Sequence, residues 1–284
     1  MAVTGGARGI GRATAAALSR AGARVAIGDL DAGEAQAAAE ALTGEAAGLA
    51  LDVTDPDSFA RFLDHAEQRL GPLDVLVNNA GIMVVGPFLE EDNAATEREF
   101  AVNVLGVVYG MRLAIPRMQR RGHGHVVNVA SQASYWTPPG EATYAATKHA
   151  LRGLSEAVAF ELRAQPIDLT VVCPGIVETE LAAGTNTARV GKLLAPDEVA
   201  DGILDAIRRP RPEVFVPRAT GPLARLQAAL PPGGRQRLAR LLGVDRVAAG
   251  ADPALRAEYE KRVTGAASRP ADAGGGGTGG AAAD

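Results

Sequence analysis

The chain has 284 residues, of which 47% are hydrophobic and 22% charged, and this composition is typical of a soluble globular protein with one large domain. Its net charge of −4 gives no indication of a nucleic-acid partner, and its single cysteine excludes an internal disulfide and favours a cytoplasmic location. The sequence contains no apolar run of about 18 residues and does not open like a signal peptide, so we expect neither a membrane span nor secretion.

Short apolar segments alternate with longer helical patterns along the first half of the chain. This alternation predicts an α/β fold with a Rossmann-like, doubly wound parallel sheet of about seven strands and helices on both faces. The predicted strands are residues 2–4, 24–28, 47–51, 73–77, 125–129, 167–172 and 213–217, and the predicted helices are residues 9–21, 31–42, 56–70, 93–121 and 143–163. Only three residues separate Met1 from the first glycine, so the first strand either begins further upstream or is weak.

A glycine-rich segment, Thr4-Gly5-Gly6-Ala7-Arg8-Gly9-Ile10-Gly11, joins the first predicted strand to the first helix. Glycines allow a tight turn there and let a pyrophosphate approach the free N–H groups at the start of the helix. Glycine is also common in plain turns, but the position between a strand and an alanine-rich helix favours a dinucleotide site.

Asp29 ends the second predicted strand, 18 residues beyond Gly11. An acidic residue at about this spacing accepts hydrogen bonds from the adenosine ribose of NAD and repels the 2′-phosphate of NADP. Arg8 could instead bind such a phosphate, but we give Asp29 more weight. The alternative is that Asp29 only opens a turn, with Asp31 as the N-cap of the next helix.

Polar and small residues follow the next two strands, at Asp52-Val53 and at Asn78-Asn79-Ala80-Gly81. The first pair could lie beside an adenine and the second segment against a bound cofactor, although Asn, Asp and Gly are also ordinary turn residues. Asn103 lies within an apolar helix, where its amide either bonds backbone groups or organises water near the reactive centre.

Ser131, Tyr144 and Lys148 form the candidate catalytic group. Ser131 follows a buried strand, and Tyr144 and Lys148 lie about one helical turn apart on the same face of a helix. An ammonium close to a phenol favours the phenolate, so we expect Lys148 to lower the pKa of Tyr144 and make it a general acid or base. The Ser131 hydroxyl could hold the same substrate oxygen.

With these residues, the chain resembles the short-chain dehydrogenase/reductase family over about residues 1–217. The motifs are T-G-x-x-x-G-x-G at 4–11, N-N-A-G at 78–81, Y-x-x-x-K at 144–148 with a serine 13 residues before the tyrosine, and P-G-x-x-x-T at 174–179. The resemblance implies that Tyr144 is the general acid/base, Lys148 lowers its pKa and binds the nicotinamide ribose, Ser131 orients the substrate oxygen, and Asn103 holds a water in a proton relay. The cofactor-binding set that it implies is Thr4, Gly5, Arg8, Gly9, Ile10, Gly11, Asp29, Leu30, Asp52, Val53, Asn79, Ala80, Gly81, Tyr144, Lys148, Pro174, Gly175, Ile176, Val177 and Thr179.

The substrate pocket is expected between the catalytic group and a mobile lid over residues 178–194, for which Gly184 and Gly191 suit a hinged loop. Its wall is predicted to be apolar and aromatic, which fits a lipophilic alcohol or ketone better than a sugar. The predicted wall residues are Met83, Val84, Val85, Tyr135, Trp136 and Leu181. We predict no metal site, because His123 and His125 have no cysteine or carboxylate beside them in the sequence.

Three regions are predicted: a catalytic Rossmann domain over residues 1–217, a basic helical extension over residues 218–263, and a disordered Gly/Ala tail over residues 264–284. Residues 211–263 contain ten Lys or Arg against five Asp or Glu, whereas residues 1–210 contain 18 against 26. We therefore expect the extension to cover the substrate site or to pack on a neighbouring subunit. The alternative is weak contact with an anionic membrane surface.

The sequence thus predicts an NAD-dependent oxidoreductase acting on a lipophilic secondary alcohol or ketone. An NADPH-preferring ketoreductase and a non-catalytic dinucleotide-binding sensor are the alternatives. The family resemblance also implies a homodimer or homotetramer, formed through the long helices at residues 93–121 and 143–163.

Overall fold

The computed structural model describes residues 1–185, 192–247 and 251–264, and its centre is one seven-stranded sheet. All strand pairs are parallel, in the order β3-β2-β1-β4-β5-β6-β7. The strands are β1 Ala2–Thr4, β2 Val25–Asp29, β3 Ala46–Ala50, β4 Val75–Asn78, β5 Gly124–Val129, β6 Ile167–Pro174 and β7 Glu213–Val216. This topology confirms the predicted doubly wound α/β fold.

The short first strand lies at the centre of the sheet. β1 is fully buried and pairs on both sides, with Val3 opposite Ile27 of β2 and opposite Val77 of β4. Apolar side chains on both faces suit a strand that is covered by helices on each side. Three residues are therefore sufficient here because two longer neighbours complete the pairing.

Helices pack on both faces of the sheet and continue beyond it. They are α1 Gly9–Arg20, α2 Ala32–Glu40, α3 Pro56–Leu70, α4 Asn93–Phe100, α5 Gly106–Arg121, α6 Ala142–Glu161, α7 Pro196–Arg208, α8 Thr220–Ala229, α9 Pro232–Leu242 and α10 Pro253–Thr264. Asp31 is the N-cap of α2, where its carboxylate accepts a hydrogen bond from the Glu34 N–H at 3.0 Å. Helices α8, α9 and α10 lie in the region predicted as the extension, whereas the predicted tail from residue 265 onward lies outside the described residues.

The predicted helix at residues 93–121 is continuous but contains a π-helical turn, Ala101–Leu105, between α4 and α5. A π turn inserts an extra residue into the helical ladder and often marks a functional position; here it carries Asn103. In length and hydropathy this stretch is the one helix among the described residues that could cross a membrane. Its inner face, with Val107, Met111 and Met118, is packed into the protein core, as in the core helix of a soluble fold.

The order of the strands reverses between β1 and β4, because the chain first builds outward to β3 and then returns to the other side of β1. Loops on the two sides of such a switch point diverge, which leaves a crevice at the carboxyl ends of the strands. The fold therefore predicts the ligand site at this edge of the sheet.

Candidate active site

A cavity of about 2210 Å³ opens at this edge, which exceeds the roughly 300–1,000 Å³ typical of a single small-ligand site. Most of the predicted catalytic and cofactor-binding residues border it, and three do not: Thr4, Gly11 and Asn103. The predicted residues on its wall are Gly5, Arg8, Gly9, Ile10, Asp29, Leu30, Asp52, Val53, Asn79, Ala80, Gly81, Ser131, Tyr144, Lys148, Pro174, Gly175, Ile176, Val177 and Thr179.

The glycine-rich loop brings the start of α1 to the cavity. Gly9 has a left-handed φ of +49°, and a Cβ atom on Gly11 would lie 2.1 Å from the carbonyl oxygen of Gly5, so neither position tolerates a side chain without movement. The first turn of α1 contains no acidic residue, and the backbone N–H groups of Gly9, Ile10 and Gly11 have no acceptor among the described residues. This arrangement fits the pyrophosphate of a dinucleotide.

Asp29 connects this loop to the end of β2. Its Oδ2 atom accepts a hydrogen bond from the Ala7 N–H at 3.1 Å, and the side chain borders the cavity. Its Oδ1 atom accepts from the Asp31 N–H at 3.4 Å, so Asp29 also forms the turn before α2, which Asp31 caps. Each carboxylate oxygen keeps a lone pair that can accept from a hydroxyl of the ribose expected here. Arg8 lies between two carboxylates, 3.9 Å from Glu34 and 3.8 Å from Glu180, so its charge is already partly balanced.

Asn79 and Thr4 join the loop after β4 to the glycine loop. Asn79 donates from Nδ2 to the carbonyl oxygens of Thr4 and Gly5, both at 3.0 Å, and the Thr4 hydroxyl accepts from the N–H groups of Asn79 and Ala80. Thr4 thus stabilises the loop that forms the cavity wall without bordering the cavity itself. Asp52 accepts from the Thr54 N–H at 2.9 Å, so it forms a turn while also bordering the cavity.

Ser131, Tyr144 and Lys148 converge on the same cavity. Ser131 follows the end of β5, its Oγ atom accepts from the Ala133 N–H at 3.0 Å, and its hydroxyl faces the phenol of Tyr144. Tyr144 and Lys148 are both buried on α6. The Lys148 Nζ atom lies 5.5 Å from the centre of the Tyr144 ring and donates to the Val129 carbonyl at 3.2 Å. The predicted convergence of the three side chains is therefore present in the structure.

The expected lowering of the Tyr144 pKa is not found. Burial raises the pKa of Tyr144 above its ordinary value of 10, while the neighbouring Ser131 hydroxyl acts in the opposite direction. Burial also lowers the pKa of Lys148 to about 8. In this state the cost of burying a charge exceeds the attraction between ammonium and phenolate, because both groups are enclosed by the protein.

Asn103 is held by backbone and side-chain partners behind the cavity. Its Oδ1 atom accepts from the Ile82 N–H at 2.9 Å, and its Nδ2 atom donates to the Ile82 carbonyl and to the Thr147 hydroxyl. Asn103 therefore fixes the loop after β4 against α6. The implied role in a water relay stays a prediction.

The apolar wall differs from the predicted one. Met83, Trp136 and Leu181 border the cavity, whereas Val84, Val85 and Tyr135 do not. Tyr135 instead donates a hydrogen bond from its hydroxyl to Glu213 at the far edge of the sheet, because successive residues of the turn after β5 point in different directions.

His123 has a carboxylate partner that its neighbours in the sequence did not reveal, since its Nε2 atom lies 3.2 Å from Asp74 Oδ1.

The extension contributes directly to the cavity. Its bordering residues are Ala219, Thr220, Leu223, Leu242, Val244, Val247, Tyr259, Arg262 and Val263. This geometry agrees with the expectation that the extension covers the site, while contact with a membrane surface stays a prediction. Residues 186–191 of the expected lid lie outside the described residues; on its far side, Leu194 forms a parallel bridge with Val177.

Buried Arg256 fastens α10 to the pocket loops. Its guanidinium donates to the carbonyls of Met83 at 2.7 Å, Ala183 at 3.1 Å and Leu181 at 3.2 Å, and it pairs with Glu260. Sequence reasoning missed this contact because nothing in the local pattern of α10 indicates where it docks. The sequence analysis also did not identify two buried acids, Glu99 and Glu141, as candidate functional residues. Glu141 lies about one helical turn before Tyr144.

The chain is similar to several known proteins. The family model described as short chain dehydrogenase matches residues 1–190. The chain is 34% identical over 214 residues to 2,5-dichloro-2,5-cyclohexadiene-1,4-diol dehydrogenase LinX of Sphingobium indicum, covering 71% of this chain and 86% of that protein. A short chain dehydrogenase/reductase from Burkholderia phymatum, solved in complex with NAD, superposes with a TM-score of 0.73 at 27% identity and covers 80% of this chain and 91% of that one.

Some relatives are longer than this chain. The probable oxidoreductase EphD of Mycobacterium tuberculosis is 34% identical over 235 residues, which make up 75% of this chain but 40% of that protein. The chain therefore spans less than half the length of this relative.

Proposed function

Because the chain belongs to the short-chain dehydrogenase/reductase family, we propose that it is an NAD-dependent oxidoreductase that interconverts a lipophilic secondary alcohol and its ketone. The observation that carries the proposal is that Ser131, Tyr144 and Lys148 border the same cavity as the glycine-rich loop. A proton-transfer group and a dinucleotide cradle at one site are the two parts that hydride transfer to or from an alcohol carbon requires.

Tyr144 moves the proton in this mechanism. Its raised pKa keeps the phenol neutral, which is the form that donates a proton to the oxygen of a ketone during reduction. In the oxidative direction the phenolate takes the alcohol proton, and Lys148 beside it favours that form when charged. The Ser131 hydroxyl, which faces Tyr144, bonds the substrate oxygen and orients it toward the phenol.

NAD supplies the hydride acceptor and NADH the donor. The residues present fit the dinucleotide, since the N–H groups at the start of α1 suit the pyrophosphate and Asp29 suits the adenosine ribose. The pairing of Arg8 with Glu34 and Glu180 leaves less charge for a 2′-phosphate. We therefore favour NAD over NADP.

The apolar side chains on the far wall, among them Trp136, Leu181 and Val263, support a lipophilic substrate. The relative LinX is named for acting on a cyclohexadienediol, which is a secondary alcohol on a carbocycle. We propose a substrate of this general type, an alcohol or ketone on an apolar ring or chain.

The test is to incubate the purified chain with NAD⁺ or NADP⁺ and a panel of cyclic and acyclic secondary alcohols, and to follow the absorbance of the reduced cofactor. We expect turnover with NAD⁺ that a Tyr144→Phe substitution abolishes. Turnover in neither direction, with either cofactor, across alcohols and ketones would argue for a binding protein instead.

A further inference from the structure

Helix α10 carries the side chain Tyr259 into the catalytic cavity. The helix lies beyond the sheet in sequence, but Arg256 binds it to the loops on two sides of the cavity. Glu260 adds a third attachment by accepting from the Val85 N–H at 3.2 Å. α10 is therefore attached to the loops of the site, and it places Tyr259 on the cavity wall.

The hydroxyl of Tyr259 has an unused hydrogen. Its oxygen accepts a hydrogen bond from the Met83 N–H at 3.2 Å, and within residues 1–185, 192–247 and 251–264 no acceptor takes the hydroxyl proton. The side chain is only 7% exposed and its accessible part borders the cavity. Burial raises the pKa of Tyr259 to about 12, so the hydroxyl keeps this hydrogen and acts as a donor.

Glu141 supplies an acceptor at the same end of the cavity. It immediately precedes α6, is only 6% exposed and borders the cavity, and its carboxylate has no hydrogen-bond partner in the described part of the chain. The loop at residues 83–86 links the two groups: Tyr259 accepts from the Met83 N–H at 3.2 Å, and the Gly86 N–H donates at 3.0 Å to the carbonyl of Gly140, the residue before Glu141. A buried polar group without a partner costs free energy unless a ligand or water satisfies it.

From this pairing we propose that Glu141 and Tyr259 form a subsite for a second hydroxyl group of the substrate. A hydroxyl is both a donor and an acceptor: it donates to the Glu141 carboxylate and accepts from the Tyr259 hydroxyl, while the carbon that reacts lies at Tyr144. The inference rests on the proposed function and narrows its substrate class to diols and hydroxyketones with an apolar skeleton.

Such a subsite discriminates strongly against substrates that lack the second hydroxyl. A mono-alcohol leaves Glu141 and Tyr259 without partners in a buried position, and this loss is usually larger than the gain from any single apolar contact. We therefore expect at least one diol to bind about tenfold more tightly than its mono-alcohol.

The experiment measures binding without turnover, in the full chain carrying Tyr144→Phe and saturated with NAD⁺. Isothermal titration calorimetry compares cyclohexanol with cyclohexane-1,2-diol, cyclohexane-1,3-diol and cyclohexane-1,4-diol. We expect Tyr259→Phe and Glu141→Met, each added to this background, to weaken the best diol about tenfold and to change cyclohexanol less than about twofold. Tyr135→Phe is the matched control, since Tyr135 is a buried phenol outside the cavity, and it should change neither.

The subsite is overturned if none of the three diols binds more tightly than cyclohexanol, or if the Glu141→Met variant loses affinity for the best diol and for cyclohexanol equally. Glu141 makes no side-chain hydrogen bond within the described protein, so its replacement tests the subsite even if Tyr259→Phe loosens α10. Hydride transfer from the same probes to NAD⁺ is measured separately in the unsubstituted chain. Selective diol binding without hydride transfer would reject the proposed reaction and keep the subsite.

Discussion

The Nζ atom of Lys148 lies 5.5 Å from the centre of the Tyr144 ring, in a position where both side chains are buried. Burial favours the neutral form of each side chain. It therefore raises the pKa of Tyr144 and lowers the pKa of Lys148 to about 8. The pair is therefore poised for proton transfer rather than held as a permanent ion pair. This arrangement is the starting point for the first two predictions.

Replacing Tyr144 with phenylalanine should remove turnover and preserve cofactor binding. The substitution deletes only the proton donor, and such a group typically contributes about 10²–10⁴-fold to the rate. Steady-state kinetics measures the turnover, and quenching of the Trp136 fluorescence by NADH measures cofactor binding. A variant that retains more than about a tenth of the wild-type kcat would exclude Tyr144 as the general acid/base.

Replacing Glu99 with glutamine should stabilise the protein increasingly as the pH rises. Burial raises the pKa of Glu99 to about 8, with Glu91 adding to the shift and the Val84 N–H, Lys148 and Arg256 opposing it. Between its ordinary value of 4.5 and about 8 the folded state holds a proton that the unfolded state releases, so stability falls as the pH rises through this window. Glutamine has no proton to lose and can still accept from the Val84 N–H.

Urea unfolding at several pH values between about 5 and 8 tests this prediction. We expect the free energy of unfolding of the Glu99→Gln variant to gain about 2 kcal/mol relative to the unsubstituted chain over that range. Glu97→Gln, at an exposed position on the same helix, is the control and should follow the unsubstituted chain. A difference that does not change with pH would show that Glu99 is ionised throughout.

Replacing Asp29 should change the preference between the two dinucleotides. Asp29→Asn removes the charge but retains an oxygen that can accept from the Ala7 N–H, whereas Asp29→Ala also removes that bond. We expect both variants to weaken NAD binding and strengthen NADP binding, by about tenfold in the ratio of the two affinities, because a like charge no longer faces the 2′-phosphate. If the ratio is unchanged in the asparagine variant, Asp29 only supports the loop.

Replacing Arg256 with methionine should release α10 from the cavity. The change removes bonds to three backbone carbonyls and to Glu260 and should cost about 3 kcal/mol of local stability, equivalent to about a hundredfold faster amide exchange. Hydrogen exchange across residues 253–264 measures this effect. Arg262→Met, which removes a more exposed pair with Glu180, should cost less than about 1 kcal/mol, and equal effects of the two variants would contradict the role of Arg256.

Replacing an exposed apolar residue of α6 with a charged one should disrupt self-association. Phe160 is 62% exposed on this helix, one of the two long helices through which the family resemblance implies self-association. Large exposed apolar side chains often mark an interface. We expect Phe160→Glu to shift the protein toward the monomer in light scattering after gel filtration. Leu89→Glu is the control, because Leu89 is 93% exposed and lies in the short turn Phe88–Glu90, outside both long helices. A monomeric unsubstituted chain would contradict the self-association that the family resemblance implies.

The sequence by itself determined the parts of this protein that depend on neighbouring residues. The alternation of strands and helices, the glycine loop before α1, and the one-turn spacing of Tyr144 and Lys148 are all local patterns, and the backbone geometry converts each of them directly into structure. Even the three-residue β1 was recognisable, because the residues after it had to form the turn into the first helix.

Only the tertiary structure decided which distant groups meet at the site and how burial changes them. Tyr259 reaches the cavity from beyond the last strand because Arg256 finds its carbonyl partners in two loops that are far away in sequence. Trp136 faces the cavity while its neighbour Tyr135 turns away from it. The pKa of Tyr144 depends on how completely the surrounding chain excludes water, and that is a property of packing which no motif encodes.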